Sequence, residues 1–212
     1  MPDLSLETAL WARGKTRVAG IDEAGRGPLA GPVSAAAVIL PKGFTCLGLD
    51  DSKKISAANR DRLYEIITQD QRVLWAVATA DHEEIDRLNI LQATHLAMRR
   101  AAETLHPLPD HCLIDGRPLK YFPLPHDGII KGDGRSLSIA AASIIAKVTR
   151  DRIMLQIDHE FPQFGFAKHQ GYGTKLHLEA LRIHGPCRHH RRTFEPVAQL
   201  TLPFDNGERT AS

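Results

Sequence analysis

The chain has 212 residues, 42% of them hydrophobic, which is enough to bury a substantial core as one large domain, while a formal net charge of +2 by itself names no class of partner. Its three cysteines are widely separated and form no CxxC pair, so neither a disulfide framework nor a structural zinc site is suggested. The most apolar run, residues 33–40, is too short to span a bilayer and residues 1–14 lack a basic region followed by an apolar stretch, so the expectation is a soluble, cytoplasmic monomer with reduced thiols and no membrane contact.

Residues 1–16 read as an N-terminal extension. Residues 18–21 then form a short strand running into GIDEAGRGPLAGP, residues 20–32. This stretch carries two acids, Asp22 and Glu23, with four glycines and two prolines. Neighbouring side chains on a strand point to opposite faces, so both acids are expected to serve one site by a break of the strand between them. Glycine at Gly25 and Gly27 would let backbone N–H groups approach a ligand closely. The stretch is not a P-loop, because no Lys-Ser or Lys-Thr follows Gly31, and its GxGxxxG spacing misses the dinucleotide fingerprint.

Residues 33–40 form a second strand, too continuously apolar to face water. A polar loop, DDSKK at 50–54, precedes a helix over 57–68 capped by Ser56, with Leu63, Ile66 and Ile67 on one face. Residues 72–80 read as a third strand, and 81–86 as an acidic run on a solvated face. Asn89 caps a helix over 90–105 whose Ile90, Ala97, Met98, Ala101 and Leu105 make the core side. Two short strands follow, 111–114 ending at Asp115-Gly116 and 127–131 ending at Gly132-Asp133-Gly134. The strongest helix covers 138–158, and another covers 174–184 before Gly185-Pro186. A basic segment containing Arg188, His189, His190, Arg191 and Arg192 comes next. The pattern is α/β, strands before helices, with a C-terminal helical part.

Three strand ends thus deliver acids: Asp22 with Glu23, Asp115, and Asp133. Brought to one sheet edge, they would repel one another unless cations neutralised them. All-oxygen donors suit Mg²⁺ or Mn²⁺. Two such ions roughly 4 Å apart would activate water and stabilise the leaving oxygen of a phosphoryl displacement, which is nuclease chemistry.

These motifs, in order, resemble the bacterial type 2 ribonucleases H. The resemblance lies in residues 20–32, in DSKK at 51–54, LIDG at 113–116, KGD at 131–133, AAS at 141–143 with AKVTRD at 146–151, HQGYGT at 169–174 and HRRTF at 190–194. It covers residues 18–197 and implies a ribonuclease H-like fold, a mixed central sheet flanked by helices with a C-terminal helical segment, and a catalytic domain over 17–197. It also implies that Asp22, Glu23, Asp115 and Asp133 are the metal-binding catalytic acids. The turn Gly25-Arg26-Gly27 would read the ribose 2′-OH, the group that separates RNA from DNA locally. Tyr172 would stack on the sugar at the RNA–DNA junction. Lys53, Lys54, Ser143 and Lys147 are candidate phosphate contacts. Arg191 and Arg192 either do the same or pair with acids to hold the tail, and Asp151 reads as structural. Ala140 stands where the family's run usually has serine, and Gly134 makes the turn after Asp133 looser.

The implied activity is cleavage of the RNA strand of RNA/DNA hybrids, and on the 5′ side of single ribonucleotides in duplex DNA, leaving 3′-OH and 5′-phosphate ends. A non-catalytic nucleic-acid-binding module and a metal-dependent phosphatase are the rival readings. Residues 198–212 read as a mobile tail. Within it Gln199, Leu200, Thr201, Leu202, Pro203 and Phe204 (QLTLPF) resemble the short peptides that grip a sliding clamp, with Leu200, Leu202 and Phe204 in apolar pockets. The same residues also suit a last packed segment of the domain.

Overall fold

The computed structural model describes residues 1–49 and 55–201. Its centre is a five-stranded sheet in the order β3-β2-β1-β4-β5. Strands β1 (Val18–Ala24), β2 (Val33–Ile39) and β3 (Leu74–Ala80) form an antiparallel meander. Strands β4 (His111–Asp115) and β5 (His126–Ile129) then add in parallel beside β1. The mixed sheet places the C-terminal ends of β1 and β4 side by side, which is what brings their acids together.

Strand β2, VSAAAVI, is buried along its whole length because both faces are covered. Val33, Ala35 and Ala37 face one core with Ala93, Ala97 and Met98 of α4 (Ile90–Thr104). Ala36 and Val38 face the other, with Ala141 and Ile145 of α5 (Leu137–Glu160) and Leu63 and Ile67 of α2 (Ala57–Gln69). Alanines on the strand keep both helices close. At Gly20 the approach is closer still, since an added Cβ would lie 2.1 Å from the Ser138 carbonyl carbon.

The caps expected at Ser56 and Asn89 are present, each side chain accepting from the backbone N–H three residues on. Ile66 is 40% exposed and does not join Leu63 and Ile67 in the core. The third strand starts at Leu74 because Val73 donates its N–H to Asp70 in the preceding turn.

Two helices were not legible from periodicity. The acidic run folds as α3 (His82–Leu88), with a reciprocal capping box between Asp81 and Glu84. The N-terminal extension contains α1 (Ser5–Ala12), whose Leu10 packs with Val18, Leu113 and Ile139. Glu7 on α1 is buried, and its Oε1 accepts from the Ser136 and Ser138 hydroxyls at 2.6 Å each, tying the extension to the start of α5.

Beyond α5 the chain closes over one end of the sheet through α6 (Phe166–His169), α7 (Lys175–His184) and the short α8 (Val197–Thr201). Their core joins Phe164, Phe166, Leu181 and Val197 to Leu29, Ala30 and Met154.

Candidate active site

Strand β1 does not break between Asp22 and Glu23. It stays paired with β2 as far as Ala24, opposite Ser34. Both carboxylates nevertheless border one cavity of about 370 Å³ at the strand's end, together with Asp115 from β4. Asp22 is 5% exposed. Its Oδ1 accepts the Glu23 N–H at 2.7 Å, and the Ser143 hydroxyl of α5 hydrogen-bonds to it as well. Glu23 leans toward solvent, 3.3 Å from the Arg26 guanidinium.

Burial, reinforced by Glu23 and then Asp115, pushes the Asp22 carboxyl well above the usual carboxylate range. Burial also raises Glu23; Arg26 opposes the rise and Asp115 adds to it. Hard oxygen donors crowded in this way suit a divalent cation, which would relieve the repulsion. Among the described residues no three such side chains are close enough to cage an ion as they stand.

Asp133 sits differently. It lies half-buried on a single 3-10 turn, Gly132–Gly134, outside the cavity wall formed by the other three acids. Its turn is tied to the site, because the Gly132 N–H donates to Asp115 Oδ1 at 2.6 Å.

The turn at Gly25, Arg26 and Gly27 forms the next part of the wall, and Tyr172 faces it. Tyr172 is 48% exposed, and a Cβ added to Gly27 would lie 3.5 Å from its ring. The turn is held by two arginines fully buried without a carboxylate partner among the described residues. Arg150 donates to the carbonyl oxygens of Pro32, Ala30 and Gln170 at 2.9, 3.2 and 3.0 Å. Arg191 donates to those of Gly31, Arg26 and Gly25 at 3.0, 2.8 and 2.6 Å. Burial lowers them to about 10 and about 9, so both stay charged at neutral pH.

These bonds draw the carbonyls of Gly25, Arg26, Ala30, Gly31 and Pro32 back into the protein. Among the described residues, Arg191 therefore neither lies open to phosphate nor pairs with an acid. Arg192 and Thr193 are instead anchored through their N–H groups to Asp86 of α3, at 2.8 and 3.0 Å. The role of Arg150 escaped the sequence reading. Its signal was spacing: it lies four residues after Ala146 and four before Met154, both buried.

Behind Tyr172 runs a chain of hydrogen-bonded histidines. His177 Nδ1 is 2.9 Å from the Tyr172 carbonyl, His177 Nε2 is 3.0 Å from His190 Nε2, and His190 Nδ1 accepts the Cys187 N–H at 2.9 Å. His169 stacks on His177, 4.6 Å between ring centres. These histidines support the loop rather than line the cavity.

Of the expected phosphate contacts, Ser143 borders the cavity but is 4% exposed and engaged with Asp22. Lys147 also borders it, with its Nζ 2.6 Å from Asp151 Oδ1, which accounts for Asp151 as a positioning partner. Lys53 and Lys54 lie outside the described residues, as do Leu202, Pro203 and Phe204 of the tail. Gln199 and Leu200 belong to α8, so the start of that segment is helical rather than extended. No helix among the described residues is long and apolar enough to cross a membrane.

Comparison with known proteins gives the family of the chain. The family model for ribonuclease HII matches residues 19–197. A ribonuclease HII of Myxococcus xanthus is 56% identical over 202 residues, covering 94% of this chain and 69% of that protein. The crystal structure of the ribonuclease H2 from Pyrococcus horikoshii superposes with a TM-score of 0.71 at 25% identity, covering 87% of this chain and 97% of that one. The ribonuclease HII in a PCNA complex from Archaeoglobus fulgidus gives the same TM-score and identity, over 85% of this chain and 96% of that one. With its ribonuclease H-like sheet and this match along nearly its whole length, the chain belongs to the ribonuclease HII family of nucleases.

Proposed function

We propose that the protein is a metal-dependent endoribonuclease that cuts the RNA strand of RNA/DNA hybrids and the 5′ side of single ribonucleotides in duplex DNA. The observation that carries this reading is the meeting of Asp22, Glu23 and Asp115 with the Gly25-Arg26-Gly27 turn and Tyr172 on one cavity. Carboxylates alone would suit many hydrolases. An acid cluster beside a glycine turn whose carbonyls are pulled away leaves N–H groups to meet a sugar hydroxyl, and an exposed aromatic ring opposite offers a stacking surface.

Two Mg²⁺ or Mn²⁺ ions would supply an activated water and stabilise the departing 3′ oxygen. Asp22 and Asp133 would hold the first and Glu23 and Asp115 the second, with Asp133 brought in as the Gly132 turn adjusts. Ser143 keeps Asp22 aimed, and the Lys147–Asp151 pair presents an ammonium group to the backbone phosphate. Lys53 and Lys54 extend the phosphate contacts. The protein works as a cytoplasmic monomer.

A labelled DNA duplex with one ribonucleotide tests the reading. It is incubated with Mg²⁺, with Mn²⁺, with chelator, and with the Asp22→Asn protein. The expected product is a single metal-dependent cut 5′ of the ribonucleotide, absent in the mutant and in all-DNA duplex. A duplex bound but left intact under every metal condition supports the non-catalytic reading; hydrolysis of small phosphate esters with duplexes ignored supports the phosphatase.

The tail is proposed to bind a sliding clamp. Support comes from its QLTLPF sequence and from the PCNA complex of the Archaeoglobus relative. Val197 is buried, whereas Leu200 is 43% exposed, so burial falls away at the start of the motif. A peptide of residues 197–212 should bind the clamp at micromolar strength, about 8 kcal/mol. No binding in a calorimetric titration removes this part of the proposal.

A further inference from the structure

The cavity at the acids does not end there. A second, of about 460 Å³, shares Glu23, Arg26 and Asp115 with it and runs between α4 and the β4–β5 connection. A third, of about 190 Å³, shares His95 and Leu119 with the second and opens past Arg99, Lys120 and Tyr121. The three make one continuous trough, from Tyr172 through the glycine turn and the acids to Tyr121.

Its far half has a distinct chemistry. Beyond the acids themselves, no acidic side chain among the described residues lines it. Arg99, Arg117 and Lys120 stand exposed, and among the described residues none has a hydrogen-bond or ion-pair partner for its side chain. Arg100, beside Arg99, is by contrast held by both oxygens of Glu84 at 3.1 and 2.7 Å. Tyr121 is 97% exposed and has φ +61°, a left-handed backbone that a tyrosine rarely adopts. An aromatic ring held out in water on a strained backbone needs a reason, and stacking on a ligand is one. Unpaired cations along a groove with an aromatic end suit a polyanion that carries flat bases.

Which polyanion follows from the order of the trough, and the assignment rests on the proposed function above. If Tyr172 reads the nucleotide 3′ of the ribose and the acids meet the phosphate 5′ of it, a strand continuing in the same direction passes His95 and reaches Tyr121. We propose that the trough between α4 and the β4–β5 connection binds the 5′ flank of the cleaved strand, with Arg99, Arg117 and Lys120 on its phosphates and Tyr121 stacked on a base.

The test compares two duplexes, each with one ribonucleotide. In one the cleaved strand extends about ten nucleotides 5′ of the ribonucleotide, and in the other about two. The quantity read is the ratio of kcat/KM on the long flank to that on the short one. Wild type should favour the long flank about tenfold, and Arg99→Ala/Lys120→Ala/Tyr121→Ala should bring that ratio near one. Because the readout is a ratio on one protein sample, a general loss of folded enzyme does not imitate it.

Charge reversal in Arg99→Glu/Lys120→Glu gives a second measurement. Binding to the long duplex in chelator should lose salt dependence, the slope of log K against log salt falling by about two, near 0.9 for each lost phosphate contact. An unchanged ratio with an unchanged slope overturns the proposal. So does a loss that is equal on both flanks, which would assign the trough to the complementary strand. If wild type cuts neither duplex, the proposed function fails, while the binding slopes still judge the trough.

Discussion

Arg150 fills the space into which a side chain on Gly25 would project: a Cβ built there would lie 1.9 Å from the guanidinium Nε. Gly25 also has φ +94°, so a larger residue is strained before it meets the arginine. The Gly25→Ala protein is expected to lose about 3 kcal/mol of stability, from backbone strain plus overpacking. Gly27 is the control, since its added Cβ would meet only the Tyr172 ring at an ordinary 3.5 Å. Gly27→Ala should melt like the wild type and change substrate affinity alone. Thermal denaturation of both proteins, beside their KM values, separates the two roles; equal melting temperatures would remove the packing argument.

Arg191 carries more of the turn than any other side chain contacting it. Replacing it with methionine keeps bulk but leaves the Gly25, Arg26 and Gly31 carbonyls without their donor. Buried acceptors stranded in this way cost about 3 kcal/mol together. Arg191→Lys should recover little, because one ammonium cannot span carbonyls arranged for a planar fork. Hydrogen exchange at residues 25–31 is the direct readout: both variants should exchange faster there, with the central strands unchanged.

Asp22 is costly to the folded protein when no cation is present. Its carboxyl is raised by burial, Glu23 and Asp115, so the folded state keeps a proton that the unfolded chain releases. Asp22's own contribution to the metal-free protein is therefore full below the ordinary carboxyl range and is lost as pH rises through the raised folded value. Asp22→Asn removes that loss. At neutral pH in chelator it should melt above the wild type, and Mn²⁺ or Mg²⁺ should raise the wild type more than the mutant. A mutant that is less stable in chelator would show that the carboxylate is satisfied without a cation.

The histidines behind Tyr172 predict the acid side of the stability profile. The spacing fits one tautomer pattern, with His177 Nδ1–H donating to the Tyr172 carbonyl, His190 Nε2–H donating to His177, and Cys187 N–H donating to His190. A second proton on His177 would set N–H against N–H. Burial lowers His177 to about 4 and His190 to about 3. The unfolded chain takes up protons near the ordinary histidine value while the folded one does not, so their contribution is full above that value and lost as pH falls below it. Melting temperature should drop between about pH 6.5 and 4, and less steeply in His190→Gln. A slope unaltered by that substitution would exclude the relay as its source.

Most of the architecture could be read along the chain because its signals are local. The continuous apolar run of 33–40, the caps at Ser56 and Asn89, and the glycine turns after Asp115 and before Asp133 each act within a few residues. Helix α3 escaped because its capping box, Asp81 with Glu84, sits inside a charge run that looks like solvated surface. Three of the acids were legible as strand ends for the same local reason.

What residues close in sequence determined on their own was which groups carry charge, which turns need glycine, and which strands must be covered on both faces. Only the tertiary structure decided what those groups do to one another. The parallel placement of β4 beside β1 sets Asp115 against Asp22 and Glu23, while the short turn at Gly132 leaves Asp133 outside their cavity. Arg150 drew no reading, and Arg191 read as a phosphate contact or an acid's partner, because the partners of both are backbone carbonyls, and every residue has one. Sequence cannot mark which carbonyls a long-range fold will bring within reach of a guanidinium, and those contacts aim the glycine turn at the site.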